Sequence, residues 1–300
     1  MTVKHFLSIT DLSRKELNDV LFLSARVKSN PKKFRTSLDG KVLGLLFNKP
    51  STRTRVSFEA GIYQLGGNSV FLTEKDIQIG RGESVADTAK VLSGYLDGIV
   101  IRTYDHENLV EFSKNSTIPV INGLSDLLHP CQILSDIFTI IENKGHIDGI
   151  NIAYIGDGAN NMAHTWILAA EIFGFNLRIA APEKYQPHSS ILDKAKGAHI
   201  EITTDTEKAA EGADILYTDV WVSMGQDSER EERVQEFKNY QINSDLFNKA
   251  APCALLMHCL PAHMGEEVTS EVFYGPQSIV FQQAENRLHV QKTLMLKLLN

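Results

Sequence analysis

Five consecutive residues, Ser51-Thr52-Arg53-Thr54-Arg55, place three hydroxyls and two guanidinium groups where the apolar run 42–47 gives way to a helical pattern. The N–H groups of a helix's first turn have no acceptor within the helix, and the positive end of its dipole faces the same side. A Ser51 or Thr52 cap flanked by arginines is therefore a receptor for an oxyanion such as phosphate. A single Ser/Thr-x-Arg means only a capped helix with a solvated arginine; the full pentapeptide arises by accident about once per million positions at ordinary usages of roughly 5–7% per residue type. Three more polar clusters follow. His129-Pro130-Cys131-Gln132 comes after the strand-like run 118–123, Asp219 to Gly225 (with Ser223 and Met224) after 214–218, and His258-Cys259-Leu260-Pro261 after 254–257. Each stands at the C-terminal end of a candidate strand, where open α/β sheets assemble their sites.

Short β-rich runs alternate with helical patterns along the chain, which implies parallel sheets covered on both faces. The pattern predicts an α/β chain of two doubly wound parallel-sheet domains joined by helices, with the active site in the interdomain cleft. In the first, a helix capped from Asp11 precedes strand 42–47, helix 56–65, strand 69–72, helix 84–96, strand 98–101, a helix from His106 and strand 118–121. The polar, glycine-rich stretch between Thr73 and Glu83 reads as a loop of the kind that acts as a lid. A helix from Pro130 to about Lys144 ends the first domain, residues 1–144, and the 145–149 turn opens the second, residues 145–300. There the strands are 151–155, 176–180, 200–203, 215–218 and 255–258, with helices over 162–173, from Ser189 and over 227–238. A final helix at about 284–300 has apolar residues at helical spacing and is expected to pack back on the first domain.

With 43% hydrophobic and 22% charged residues in 300, the composition is that of a globular chain large enough for two domains. A net charge of −7 argues against a nucleic-acid surface while leaving room for a local basic pocket. The cysteines, Cys131, Cys253 and Cys259, are odd in number and unspaced for metal. No apolar stretch approaches the roughly 18 residues of a membrane span, and the first residues lack a signal or transit pattern. The expectation is a cytoplasmic protein with no metal, no cofactor, no nucleic acid and no membrane partner.

Ser-Thr-Arg-Thr-Arg, His-Pro-x-Gln, Asp-x-x-x-Ser-Met-Gly and His-Cys-Leu-Pro, in this order and at these separations, resemble the aspartate/ornithine carbamoyltransferase family from about residue 5 to the C-terminus. The first two motifs are common to both branches, and the last two point to the ornithine branch. The resemblance implies transfer of a carbamoyl group from carbamoyl phosphate to the δ-amine of L-ornithine, giving L-citrulline and phosphate, in arginine biosynthesis or the reverse catabolic direction. Carbamoyl phosphate carries a phosphate, a carbonyl that becomes an oxyanion on attack, and an NH2. Ser51, Thr52, Arg53 and Thr54 suit the phosphate; Arg102 and His129 can donate to the carbonyl oxygen, and Gln132 can accept from the NH2. The resemblance assigns the same roles, adds Lys49 and Arg287 on the phosphate side, and brings Gln78 from a neighbouring subunit of a homotrimer with shared sites.

For the second substrate, Asp219 can pair with an α-ammonium, Ser223 stands beside it, and the Met224 N–H can meet an α-carboxylate. In the resemblance Asn161 contacts that carboxylate. Cys259 would lie beside the side-chain amine as a proton relay or acceptor, and Leu260, in a candidate cis Leu260-Pro261 peptide, would turn its carbonyl to the carbamoyl NH2. The turn Gly156-Asp157-Gly158-Ala159-Asn160-Asn161 also suggests a dinucleotide fingerprint. Asn161 stands where that fingerprint has its third glycine, and no acidic residue ends the next strand. Other acceptors, N-acetylornithine, putrescine or aspartate, and a non-catalytic metabolite-binding protein are the alternatives. Aspartate would demand a basic pocket where Asp219 sits, and putrescine lacks the zwitterion.

Overall fold

The computed structural model of the chain describes residues 3–73, 82–223, 225 and 227–300. It divides into two compact units, residues 1–138 with 285–300, and residues 139–284. The chain passes between them within the helices Pro130–Lys144 and Val280–Leu299.

The first unit is built on four parallel strands, β1 (Val42–Phe47), β2 (Asn68–Thr73), β3 (Gly98–Arg102) and β4 (Val120–Leu124), in the order β2-β1-β3-β4. The central strands, Val-Leu-Gly-Leu-Leu-Phe and Gly-Ile-Val-Ile-Arg, are near-continuous apolar runs and are buried almost throughout, as parallel strands covered on both faces must be. The edge strand β2 is only partly covered. Leu46, Ile99, Ile101 and Val120 form a core with Ala89 of the Val85–Ser93 helix and Leu109 and Phe112 of the His106–Asn115 helix. The C-terminal segment belongs to this unit: a Cβ on Gly61 of the Thr52–Gln64 helix would lie 3.0 Å from Met295 and 3.2 Å from Lys292.

Several boundaries differ from those read in the sequence. The first long helix is Arg14–Ser29, capped by Ser13 in a reciprocal box with Glu16. Asp11 instead ends a 3-10 turn, where its carboxylate accepts the Leu7 and Ser8 N–H groups at 2.6 and 2.8 Å. The second helix starts at Thr52 and not at residue 56, so the Ser-Thr-Arg-Thr-Arg motif is its cap and first turn. β4 starts after Pro119, whose ring nitrogen has no proton to give the ladder. The proposed lid falls mostly on 74–81, outside the described residues.

The second unit carries five parallel strands, β5 (Asn151–Ile155), β6 (Asn176–Ala180), β7 (Ile200–Thr203), β8 (Ile215–Thr218) and β9 (Leu255–His258), in the order β7-β6-β5-β8-β9. Ala153, Ile155, Leu216 and Leu256 from this sheet pack with Trp221, Phe237, Val268 and Phe273 in one core. The charged helix expected over 227–238 is an α-helix only over Arg230–Phe237, flanked by 3-10 turns at Asp227–Glu229 and Lys238–Tyr240. Short helices at Thr206–Ala210, Ser244–Phe247 and Ser270–Phe273 complete the layer.

Both sheets have a topological switch point, where crossovers leave in opposite directions and a crevice opens at the strands' C-terminal ends. In the first it lies between β1 and β3, where Phe47 pairs with Arg102 and the Asn48 N–H bonds the Arg102 carbonyl at 2.8 Å. In the second it lies between β5 and β8, with Asp219 directly after β8 and the glycine turn directly after β5. Strand order thus places the polar clusters of the sequence beside one another within each unit.

Candidate active site

In the first unit Ser51 caps the Thr52–Gln64 helix, its hydroxyl accepting the Thr54 N–H at 3.2 Å. This orients Thr54 inward, and its buried Oγ1 accepts from Arg102 Nη1 at 3.4 Å and Arg287 Nη2 at 3.2 Å. Arg287 also donates to Gln132 Oε1, and Gln132 Nε2 donates to Asp136 Oδ1 at 2.8 Å. Two guanidinium groups, from β3 and the C-terminal helix, thus meet at one hydroxyl beside a helix N-terminus. Arg53 makes no hydrogen bond or ion pair with the described residues. Arg55 does: its Nε donates to Glu59 at 3.1 Å and its guanidinium lies 3.6 Å from the centre of the Phe71 ring. Of the motif's two arginines, Arg55 is thus the one engaged by the described residues of its own unit.

His129 is buried, immediately before the Pro130–Lys144 helix. Burial first, and then the positive charges of Arg287, Arg102 and Arg53, hold its imidazole well below the ordinary histidine range. It is neutral at physiological pH and can give an N–H to a carbonyl oxygen without carrying a charge into an already cationic pocket. Lys49 is buried too, but its ammonium pairs with Asp126 and lies 4.0 Å from the centre of the Tyr104 ring.

In the second unit Cys259 Sγ donates to Asp219 Oδ1 at 2.9 Å, and the Val220 N–H reaches the same oxygen at 2.8 Å. Burial raises the Asp219 carboxyl above its usual range, against the opposing effect of the hydrogen bonds it accepts from Cys259 and the Val220 N–H. His258 is fixed from three sides. Its Nδ1 accepts the Leu260 N–H at 2.8 Å, its Nε2 faces Glu267 Oε1 at 3.1 Å, and its N–H donates to Gln283 at 2.9 Å. The ring is thereby the Nε2–H tautomer, donating to Glu267. Leu260 has φ +60° and precedes Pro261 through a cis peptide, as its sequence suggested. Asp219, His258 and Cys259 place one potential metal-binding atom each within 4.8 Å of one another. Both His258 nitrogens are nonetheless in hydrogen bonds, and the thiol and carboxylate bond each other.

The glycine turn after β5 is a packing device. A Cβ on Gly158 would fall 2.9 Å from the Tyr185 carbonyl, and Asn160 caps the Asn161–Phe173 helix by accepting the Ala163 N–H at 2.9 Å. Asp157 accepts the Ala159 N–H at 2.9 Å and forms a buried ion pair with Arg233, whose Nε donates to the Trp221 carbonyl at 2.7 Å. One arginine thus ties the turn after β5 to the segment after β8.

The arrangement in the first unit gathers two guanidinium groups, a shared hydroxyl and a neutral imidazole beside a helix N-terminus. A family model described as the aspartate/ornithine carbamoyltransferase carbamoyl-P binding domain matches residues 4–142, and one described as the Asp/Orn binding domain matches residues 148–298. The chain belongs to the aspartate/ornithine carbamoyltransferase family. Among its relatives, the ornithine carbamoyltransferase of Oceanobacillus iheyensis is 53% identical, over 99% of this chain and 94% of that protein. A solved structure of the Pyrococcus furiosus ornithine carbamoyltransferase has a TM-score of 0.93 at 45% identity, covering 97% of this chain and 96% of that one. The anabolic ornithine carbamoyltransferase of Campylobacter jejuni gives 0.93 at 40%, covering 99% of both chains.

Of the carbamoyltransferase residues read from the sequence, Ser51, Thr54, Arg102, Gln132 and Arg287 are joined by hydrogen bonds in the first unit, with His129 beside them and Thr52 exposed in the first helical turn. Lys49 is turned to Asp126. Asp219 and Cys259 are in contact in the second unit, Leu260 follows, and Asn161 and Ser223 are half-buried at the first turn of a helix and in the segment after β8. Gln78 and Met224 lie outside the described residues. Asp136, the Asp157–Arg233 pair, Glu267 and Gln283 were missed. Gln132 and Asp136 are one helical turn apart, a spacing that could have been read; Asp157 and Arg233 are 76 residues apart, with no local signal to join them.

Proposed function

We propose that the chain transfers the carbamoyl group of carbamoyl phosphate to the δ-amine of L-ornithine, giving L-citrulline and phosphate. The observation that carries this reading is the convergence of Arg102 and Arg287 on Thr54 Oγ1 beside the Ser51-capped helix, with Gln132 and neutral His129 adjoining. A phosphate meets Arg53, the Ser51–Thr54 hydroxyls and the first-turn N–H groups. The carbonyl oxygen faces Arg102 and His129. Gln132 Oε1, which has a second lone pair besides the one given to Arg287, accepts from the carbamoyl NH2, as does the Leu260 carbonyl.

Attack by the neutral δ-amine forms the N–C bond and moves the carbonyl electrons onto oxygen. That developing charge is met by donors already in place, which avoids reorganisation at the moment of reaction. Collapse of the tetrahedral species expels phosphate with the C–O bond pair. The amine proton goes to Cys259 Sγ as the thiol proton passes to Asp219 Oδ1, a relay that the Sγ–Oδ1 bond of 2.9 Å prepares. Asp219 also receives the α-ammonium, and Asn161, Ser223 and the Met224 N–H take the α-carboxylate end. The names of the relatives support ornithine as acceptor, and so does the buried carboxylate of Asp219, which would repel the second carboxylate of aspartate.

The same reading includes a cytoplasmic homotrimer in which Gln78 of a neighbouring copy completes each site. It is supported by the edge position of β2, which ends at Thr73 shortly before Gln78, and by the lack of a disulfide at any of the three cysteines. No helix among the described residues is long and apolar enough to cross a membrane. The test of the reaction is citrulline formation by purified protein from carbamoyl phosphate and ornithine. Replacing Arg53 by alanine should abolish it.

A further inference from the structure

The turn that follows Leu260-Pro261 brings together His263, Glu266 and Glu267, with one ring nitrogen and one oxygen of each carboxylate within 4.8 Å of one another. The turn is preformed by its own backbone, since the Glu266 N–H bonds the His263 carbonyl at 3.0 Å and the Gly265 N–H bonds the Val268 carbonyl at 2.9 Å. Glu267 is fully buried, yet its hydrogen bonds are all on one side. Oε1 accepts both His258 Nε2 at 3.1 Å and the His263 N–H at 2.5 Å, whereas Oε2 has no partner among the described residues. His263 Nδ1 and Glu266 Oε2 are buried atoms without a hydrogen bond as well. They stand 3.8 Å apart, too far to bond each other. Two ligands of one ion at ~2.1 Å sit about 3–3.4 Å apart, so a shift of a few tenths of an ångström suffices for this pair.

We propose that His263, Glu266 and Glu267 bind a divalent first-row metal ion, with water completing the coordination. Leaving three buried polar atoms unpaired in one place is costly, and a cation satisfies all three together. One imidazole and two carboxylates suit Mn2+, Zn2+ or Co2+ and lack the thiolate that softer ions select. The outer contacts match those of metal carboxylates: Glu267 is oriented by His258 and the His263 N–H, and Glu266 Oε1 by Arg230. The His263 side chain is 41% exposed, which leaves an entry path. A bound ion would brace the turn carrying the chain away from Cys259 and Leu260, a structural role that needs no part in the transfer reaction.

Mn2+ is the probe, because its low affinity for thiolate keeps it from the nearby Asp219, His258 and Cys259. Titration of chelator-washed protein, followed by electron paramagnetic resonance, should show a single Mn2+ per chain, with nitrogen hyperfine coupling from one imidazole, and a melting temperature that rises with Mn2+. His263→Gln and Glu266→Gln should each weaken binding by about tenfold or more and remove the thermal shift, while Cys259→Ser should leave Mn2+ binding as in wild type. The proposal is overturned if wild type binds no Mn2+ at millimolar concentration. It is equally overturned if the spectrum lacks nitrogen coupling, if both ligand variants bind like wild type, or if Cys259→Ser abolishes binding.

Discussion

Thr54 is the smallest group on which the first unit's arrangement depends, because one hydroxyl is the shared acceptor of Arg102 and Arg287. Thr54→Val keeps the shape and removes the acceptor. It should raise the KM for carbamoyl phosphate and cost about 1–3 kcal/mol of stability, read as a lower melting temperature, since two buried guanidinium groups lose a partner. Arg53→Ala should leave the melting temperature unchanged, because that side chain bonds nothing among the described residues, yet abolish turnover. Loss of a charge-assisted phosphate contact is worth about 1.5–3 kcal/mol in binding alone. His129 sets the pH behaviour. Its folded-state pKa lies well below the ordinary histidine value of 6.5, so near and below that value the unfolded chain takes up a proton that the folded chain refuses. Stability is then full above about pH 6.5 and falls as the pH drops below it. Chemical denaturation of His129→Gln should show a shallower acid loss than wild type. The rate at limiting ornithine should still rise from neutral to alkaline pH, because that limb belongs to the amine, which titrates near ~10.4 by analogy with lysine. A rate flat from neutral to alkaline pH would count against amine attack.

Elements were legible where pattern and chemistry coincide. All nine strands among the described residues were read, because buried parallel strands are short apolar runs and the polar clusters mark their ends. Helix starts were less so: Ser13 and Asp11 both offer caps within three residues, and only the reciprocal contact with Glu16 decides between them. Helices of four or five residues, such as Ser244–Phe247, have no room for a period. The site followed the same division. Ser51, Thr54 and Gln132 are motif residues and Arg102 ends an apolar strand, whereas Arg233 looks in the sequence like one more charge on a polar helix. Its buried pairing with Asp157, and its bond to the Trp221 carbonyl, come from chain crossings that no local pattern encodes. Arg233→Met should leave Asp157 buried and unpaired, at about 3–5 kcal/mol. It should also raise the KM for ornithine more than that for carbamoyl phosphate, because the segments it joins carry Asn161 and Ser223. Equal effects on both KM values would show that the pair only stabilises the fold.

At the scale of the whole molecule, each unit carries groups that the proposed reaction calls on: two arginines at a capped helix start in the first, and a buried carboxylate with a thiol in the second. A cyclic trimer would supply Gln78 to each site from a neighbour through identical head-to-tail interfaces, which a two-fold dimer does not provide. Arg53→Ala and Gln78→Ala proteins, each inactive alone, should regain activity when unfolded and refolded together, because some sites then draw both residues from unmutated copies. A mixture that stays inactive while each parent refolds as a trimer would exclude sharing. The central claim is tested most directly by product formation: purified protein is given carbamoyl phosphate with L-ornithine, N-acetylornithine, putrescine or aspartate, and the carbamoylated products and phosphate are measured. Citrulline and phosphate should appear in equal amounts with ornithine and far faster than product from any other amine. No citrulline above the uncatalysed rate, or preference for another acceptor, would contradict the account.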